Sequence, residues 1–258
     1  MDARARTGLW LVTPAWQRFE LSSLCFEQHA RVMAELERNG IEAHHVVVAD
    51  DANLELAQSY GWATVETDNE WLGRRFNDGI EYAIAHGAEY VVPIGSDSWI
   101  DPAYFVPLRG ERENVLTSRT YSVLTHRKLG ELVVSSRSPA GPHVLPRELL
   151  LKVDARPVDD ELKRGCDAST VRNIERAIGR RMPWVHRDLH PHQYVGLRGK
   201  PAITQYHRIV QRWGVEEHTD PWPLLRRYFD DDLVTRARDL LTRIHTPRAD
   251  RRGAVSTR

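Results

Sequence analysis

Residues Val92-Pro93-Ile94-Gly95-Ser96-Asp97-Ser98-Trp99-Ile100-Asp101-Pro102 decide the fold. The apolar run from Glu89 to Ile94 (EYVVPI) has the length of a buried strand, and Gly95-Ser96-Asp97 ends it with turn residues. The same grammar recurs upstream. Gly8–Thr13 (GLWLVT) reads as a buried strand that Pro14 stops. Ala43–Ala49 (AHHVVVA) is a second, ending at Asp50-Asp51, and Gly61–Thr67 (GWATVET) is a third.

Between these runs lie amphipathic stretches. Leu21, Leu24, Cys25, Val32 and Leu36 repeat at helical spacing within Glu20–Asn39, and Asn39-Gly40 is a helix-end signal. Asn53–Tyr60 reads as a short helix, and Leu72–His86 as a longer one closed by Gly87. Strands alternating with helices predict a parallel sheet covered on both faces. Ligands of such sheets sit beyond the carboxyl ends of the strands. Thr13-Pro14, Asp50-Asp51, Thr67-Asp68-Asn69 and Gly95-Ser96-Asp97 all fall at those ends, so polar and acidic residues gather on one rim.

After Pro102 the pattern changes. Asn114–Thr117, Tyr121–Thr125 and Leu132–Ser135 read as short, partly antiparallel strands, and Pro146–Leu151 as a helix start. Ala168–Arg181 is a helix with Asp167 or Ser169 as its cap. Val185–Leu197 is a His-rich loop and strand, Asp230–Ile244 an exposed helix, and Thr246–Arg258 a polar tail expected to be disordered.

Composition narrows the function classes. The 258 residues are 41% hydrophobic and 28% charged, which suits a globular chain with a sizeable core. Lys+Arg and Asp+Glu both number 36, so a globally basic nucleic-acid-binding surface is not indicated. A nucleic-acid acceptor is permitted by the Arg-bearing tail but not demanded. The two cysteines, Cys25 and Cys166, make neither a disulfide framework nor a Cys-based zinc site. The apolar run Leu9–Val12 is too short for a signal peptide, and no transmembrane segment is expected, so the expected location is cytoplasmic. GxxxxGK[ST], GxGxxG after the first strand, and GxSxG are all absent.

Four motifs occur in order: Thr13-Pro14-Ala15-Trp16-Gln17-Arg18, Val46-Val47-Val48-Ala49-Asp50-Asp51, Asn69-Glu70-Trp71-Leu72-Gly73-Arg74-Arg75-Phe76-Asn77-Asp78-Gly79, and the Val92–Pro102 stretch. The series resembles the GT-A nucleotide-sugar glycosyltransferases of the large family 2 type over roughly residues 8–105. That family opens with a TPxYNR-like turn, then a strand ending in DD, an N-x-x-x-G-x-[KR]-x-N-x-G-like helix start, and a strand ending in DxD. The resemblance implies an α/β, GT-A-like fold: a Rossmann-like, mostly parallel sheet flanked by helices, with a smaller mixed acceptor-side half. Residues 1–105 would bind the nucleotide sugar, 106–245 the acceptor, and 246–258 would be the tail.

It further implies a metal-dependent, hexosyltransferase-type enzyme. The donor would be a nucleoside-diphosphate sugar, UDP being the commonest carrier, and the sugar would pass to an acceptor hydroxyl, possibly with inversion. The acceptor class stays open: glycan, lipid-linked sugar, protein or modified DNA base. Thr13, Pro14, Arg18, Asp50, Asp51, Arg75, Ser96 and Trp99 would contact the donor. Asp50 and Asp51 suit a base N–H and a ribose hydroxyl. Arg75 in a first helical turn and Arg18 on the same rim suit phosphates. Asp97 matches the last Asp of DxD, which would hold Mn2+ or Mg2+ against the diphosphate; Gly95 replaces the first Asp. A local role, capping the following turn, is the alternative for Asp97.

Sugar transfer with inversion needs a carboxylate to take the acceptor's proton. Asp167 is the first choice and Asp160 the second, with Asp159 a further rival; Asp167 also reads as a helix cap, and one residue can do both. In His186-Arg187-Asp188-Leu189-His190-Pro191-His192, His190 is the candidate for a second metal ligand, and His192 and His207 are further candidates. Trp10, Trp16 and Trp62 read as core, and Pro139–His143 as a loop beside the acceptor pocket. Two other readings compete. One is a degenerate nucleotide- or glycan-binding protein, which Gly95 favours. The other is a sugar-nucleotide pyrophosphorylase, whose Gly-rich loop is replaced here by Thr13-Pro14-Ala15-Trp16.

Overall fold

A computed structural model describes residues 7–50, 52–105, 108, 114–118, 121–124, 132–135, 140–187, 191–197, 215–218 and 220–245. Strand β1 (Thr7–Pro14), helix α1 (Phe19–Arg38), β2 (Ile41–Ala49), α2 (Ala52–Ser59), β3 (Ala63–Glu66), α3 (Leu72–Ala85) and β4 (Tyr90–Pro93) follow one another as the periodicity predicts. β1 pairs in parallel with β2 on one side and β4 on the other, and β2 pairs in parallel with β3. The sheet therefore starts as β3-β2-β1-β4, with every carboxyl end on one rim.

β1 explains why these runs are apolar throughout rather than alternating. Leu9 and Leu11 pack under Val32 and Leu36 of α1, while Trp10 and Val12 face Ile80, Ala83 and Ile84 of α3. With helices on both faces, no position of a central strand can be polar without a partner. α3 lies close to the sheet because of Gly79. A Cβ there would sit 2.5 Å from Val12 Cγ1 and 2.8 Å from Val48 Cγ2.

Beyond β4 the sheet turns mixed. β9 (Ala140–Pro146) joins β4 antiparallel, β6 (Val115–Ser118) joins β9 antiparallel, and β10 (Trp184–Arg187) joins β6 in parallel. Among the described residues the full order is β10-β6-β9-β4-β1-β2-β3. β9 occupies the stretch that the sequence presents as a loop around Pro139–His143. Its Gly and Pro residues conceal it, and Pro is tolerated because the β6–β9 register shifts between Leu116 and Ser118, where ladder bonds are interrupted. A second sheet runs β12-β8-β7-β11-β5, from β12 (Val215–His218), β8 (Leu132–Ser135), β7 (Tyr121–Leu124), β11 (Tyr194–Leu197) and β5 (Ser98–Ile100).

Helix α4 (Arg147–Leu150) continues from β9, and α5 (Cys166–Ile178) covers the α3 side of the first sheet through Ile174. The chain closes with α6 (Trp222–Leu225) and α7 (Asp231–His245). The expectation that 230–244 is an exposed helix is corrected here. Leu233, Val234, Ala237, Leu240 and Leu241 are buried against Leu21, Leu24 and Cys25 of α1, together with Trp99 and Phe229. Arg236 pairs with Glu27 at 2.6 Å and Arg243 with Glu20 at 2.6 Å along the flank of this contact. The tail from 246, the His-rich residues 188–190 and residue 207 lie outside the described residues. No helix among the described residues is long and apolar enough to cross a membrane.

Gly79→Ala is expected to lift α3 from β1 and β2 and to lower unfolding free energy by about 1–3 kcal/mol, the usual cost of overpacking. Urea denaturation followed by far-UV circular dichroism measures it. A midpoint equal to that of the parent would mean that the helix does not depend on this close approach.

Candidate nucleotide and acceptor site

The carboxyl rim is assembled by backbone groups before any side chain acts. Ala15 N donates to Val48 O at 3.0 Å, Ile94 N to Val12 O at 2.9 Å, and Thr67 N to Ala49 O at 3.2 Å. These bonds draw the loops after β1, β2, β3 and β4 together. Thr13 is fully buried at the end of β1 and shares a 2.8 Å hydrogen bond with His45 Nε2. Pro14 is buried beside it, and Asp50 stands exposed at the end of β2. Asp51 and His190 lie outside the described residues.

The loop after β1 then turns sharply. Gln17 has φ 56, a left-handed conformation uncommon for a residue with a side chain. Trp16 on this turn is 45% exposed, which corrects its reading as core. Arg18 follows, and its Nη1 lies 2.9 Å from Asp97 Oδ2. The carboxylate side chain retains only 8% exposure and the guanidinium 21%. Asp97 is held from the backbone as well, since its carbonyl accepts from Leu197 N of β11 at 2.6 Å. Neighbouring Ser96 is buried, and its Oγ has no partner among the described residues. The structure thus brings Arg18, Ser96 and Asp97 together on one side of the rim.

Arg75 does not sit among them as a phosphate ligand would. It is 4% exposed, and its Nη2 donates to the carbonyls of Ala15 and Val48. The helix start carrying it is also spoken for: Gly73 N donates to Leu162 O at 2.8 Å and Arg74 N to Asp160 O at 3.0 Å. Gly73 is needed for that approach, because a Cβ there would lie 2.1 Å from Asp159 O. Asn77 continues the theme, with Nδ2 on Val158 O at 2.6 Å and Oδ1 accepting from Val158 N at 3.0 Å. The spacing Gly73-x-Arg75-x-Asn77-x-Gly79 therefore encodes how α3 seats against the strands and the 158–162 segment. Trp99 is likewise redirected. It is fully buried and packs on Phe229 at 5.2 Å between ring centroids, so it offers no face to a sugar.

The arrangement around Asp97 does not suit a divalent cation. Hard cations take six or more oxygens at about 2.0–2.6 Å. Arg18 takes one carboxylate oxygen, and Ser98 Oγ makes a long 3.4 Å contact to the other. A Cβ at Gly95 would lie 2.8 Å from Asp97 Oδ1, so that carboxylate fills the space from which a first aspartate's side chain would extend. Among the described residues no three His, Cys, Asp or Glu side chains gather to hold a metal.

A narrow cleft opens beside the end of β4, lined by Phe76, Pro93, His143, Leu145, Cys166 and Asp167 among others. Asp167 is exposed in the first turn of α5. No side chain caps this helix start, where the N-cap Gly165 has φ 75. His143 on β9 is buried, with Nδ1 3.1 Å from Thr117 Oγ1. Burial lowers its pKa, and the charge of Asp167 acts in the opposite sense. Burial and the neighbouring Asp167 push the Cys166 thiol up to about 12, which makes it inert. The sequence conceals His143 because its strand is concealed.

Asp160 is placed differently. Partial burial disfavours its charge, but hydrogen bonds from Asn77 and Arg156 outweigh that and hold its pKa below the usual carboxylate value. Asp159 is likewise lowered, by Asn173, Ser169 and Arg172. Both are engaged in fixing the 158–162 segment. His192 is buried, with Nδ1 2.8 Å from Ser122 Oγ of β7.

No protein-family model and no curated protein matches this chain. Solved structures do. S. aureus TarS aligns at 16% identity with a TM-score of 0.50, over 75% of this chain and 37% of TarS. Its 1–349 fragment in complex with UDP aligns at 15% identity and TM-score 0.49, over 75% of this chain and 61% of the fragment. The catalytic domain of Drosophila beta1,4galactosyltransferase 7 with xylobiose aligns at 13% identity, over 87% and 81%, with a TM-score of 0.47. CMP:2-keto-3-deoxy-manno-octonic acid synthetase with CTP aligns at 14% identity, over 80% and 96%, with a TM-score of 0.42. The chain has a GT-A-like α/β fold, as its four motifs imply.

The rim also rests on a buried histidine pair. His29 Nε2 donates to Ser98 O at 3.0 Å, tying α1 to β5, and its ring centroid lies 5.2 Å from that of His45. Burial lowers His29 to about 4 and lowers His45 well below its ordinary value, the latter also through the charge of His29. Both are neutral in the folded chain at neutral pH. Because the folded-state pKa is depressed, protonation favours the unfolded chain. The contribution is intact above about pH 6.5 and lost as pH falls toward 4, roughly 3 kcal/mol for His29 alone. Urea midpoints measured from pH 7 to 4 are expected to fall less steeply for His29→Gln, which keeps an N–H donor and does not titrate. Parallel slopes would contradict this assignment.

Proposed function

We propose that the protein transfers a sugar from a nucleoside-diphosphate donor, with UDP the expected carrier, to a hydroxyl of an acceptor. The observation that carries the reading is adjacency. A polar rim at the ends of β1, β2 and β4 lies beside a cleft, lined by Pro93 of β4, that presents the carboxylate of Asp167. Such a rim is where open α/β sheets bind nucleotides. The structures that align with the chain, TarS among them, support the fold and leave the chemistry to the site itself.

In this reading Asp50 receives hydrogen bonds from the nucleoside and Ser96 Oγ lies next to the diphosphate. Asp167 accepts the proton of the acceptor hydroxyl as its oxygen attacks the anomeric carbon, and the nucleoside diphosphate departs from the opposite face. That single displacement inverts the anomeric centre. Asp167 suits the task better than Asp160, which is committed to Asn77 and Arg156 and is thereby a weaker base. Buried His143 does not need to ionise; it shapes the wall of the cleft and adds a polar surface behind Asp167. The acceptor hydroxyl meets Asp167 on its exposed side, at the mouth of this narrow cleft, whose interior is too small to hold a ligand.

Incubation with a panel of nucleotide sugars, followed by chromatography of released nucleoside diphosphate, tests the reading. At least one donor is expected to undergo slow hydrolysis without acceptor. Asp167→Asn is expected to lower turnover by about 10²–10⁴-fold, the range for loss of a general base, while nucleotide affinity stays within a few-fold of the parent. Equal turnover in parent and variant would remove Asp167 from the mechanism. A panel in which every sugar nucleotide binds and none is turned over would favour a binding protein.

A further inference from the structure

We infer that Arg18, rather than a divalent metal ion, supplies the positive charge that meets the donor's diphosphate, and that Asp97 holds Arg18 in reserve until the donor arrives. The inference rests on the nucleotide-transfer reading and departs from the metal dependence that a DxD-like motif suggests. Four observations lead to it. Arg18 Nη1 lies 2.9 Å from Asp97 Oδ2, with both side chains largely withdrawn from solvent. Gly95 removes the first carboxylate of the motif, and the Asp97 carboxylate occupies the space it would use. Ser96, next to Asp97 in the chain, is buried with its Oγ lacking a partner among the described residues, so a hydrogen-bonding capacity lies unused at the position preceding Asp97. Two other sources of positive potential that the motifs offer are engaged elsewhere: Arg75 serves the carbonyls of Ala15 and Val48, and the α3 N-terminus serves those of Asp160 and Leu162, while partly exposed Arg74 faces Asp68 at 3.5 Å.

Charge explains the arrangement. A lone buried carboxylate facing an incoming diphosphate would repel it, and a lone buried guanidinium would be costly without an anion. Paired, each satisfies the other, and the guanidinium is pre-aligned at the rim. The donors of the Arg fork match phosphate oxygens as well as carboxylate oxygens, so Arg18 can turn from Asp97 to the diphosphate when the donor arrives. The left-handed turn at Gln17, φ 56, places Arg18 there, and its side chain keeps 21% exposure, enough to face a ligand.

The two cations predict opposite signs for one substitution. If Asp97 is a metal ligand, Asp97→Asn loses nucleotide affinity. If Asp97 competes with phosphate for Arg18, Asp97→Asn tightens it. Isothermal titration of UDP, GDP, CDP and ADP into chelator-treated protein, with EDTA or with MnCl2, measures both. The expected result is that the preferred nucleotide binds in EDTA within about threefold of its affinity in Mn2+. Asp97→Asn is expected to bind it several-fold more tightly. Arg18→Gln is expected to lose about 10- to 100-fold, the usual worth of charge-assisted hydrogen bonds, and Arg18→Lys to recover part of that. Thermal denaturation of each variant shows that it is folded; should Asp97→Asn not fold, the EDTA comparison and the two Arg18 variants decide. Binding that requires Mn2+, or that Arg18→Gln leaves intact, overturns the inference while leaving the nucleotide reading in place. If no nucleotide binds under either condition, the nucleotide reading fails and this inference falls with it.

Discussion

One buried guanidinium fixes the ends of the two central strands. Arg75 reaches from α3 to the carbonyls of Ala15 and Val48 at the point where β1 and β2 stop pairing. Carbonyls leaving a sheet need partners, and in a dry interior the strongest available is a cation that itself must be satisfied. The bond therefore works in both directions. It lets a charge sit at 4% exposure, and it sets the exit geometry of the loop that carries Gln17 and Arg18. The position of the Arg18–Asp97 pair depends on that exit.

The same helix joins the two halves of the chain. Asn77 presents a side-chain amide to Val158 as a neighbouring strand would present its backbone, and Gly73 lets the carbonyls of 159 and 160 come up to the helix start. The consequence reaches the candidate base. The 158–162 segment, once seated, is bound through Asp159 to Ser169, Arg172 and Asn173 of α5, and α5 begins at Cys166 and Asp167. Rim and cleft are thus coupled through α3, which touches both and presents no ligand group from its motif.

Motif reading and structure part company here for a physical reason. A spacing such as Gly73-x-Arg75-x-Asn77-x-Gly79 reports that something must approach closely at the glycines and be hydrogen-bonded at the Arg and Asn. It does not report what. Anion and carbonyl oxygen are alike to a guanidinium, and only the folded chain shows that Ala15 and Val48 supply the oxygens. Trp99 is a similar case. Its place after Asp97 puts it at a strand end, but that end begins β5, whose side chains are buried beneath α1 and α7.

The amino-acid order alone marks the strands and helices of the first half and their parallel, helix-covered arrangement, because apolar runs and amphipathic stretches are local properties; that the strands lie in the order β3-β2-β1-β4 is decided by the tertiary structure. The sequence also places Thr13, Asp50 and Asp97 at strand ends, and the Asp167 carboxylate at a helix start. Tertiary structure decides everything that depends on partners distant in the chain. It makes a strand of the Pro- and Gly-bearing β9, buries α7 against α1, and brings His143 to Asp167. It also gives Asp97 to Arg18, 79 positions away. Periodicity records which face is buried; it carries no record of which polar atom waits on the other side of the core, and the electrostatics of this site are set by those atoms.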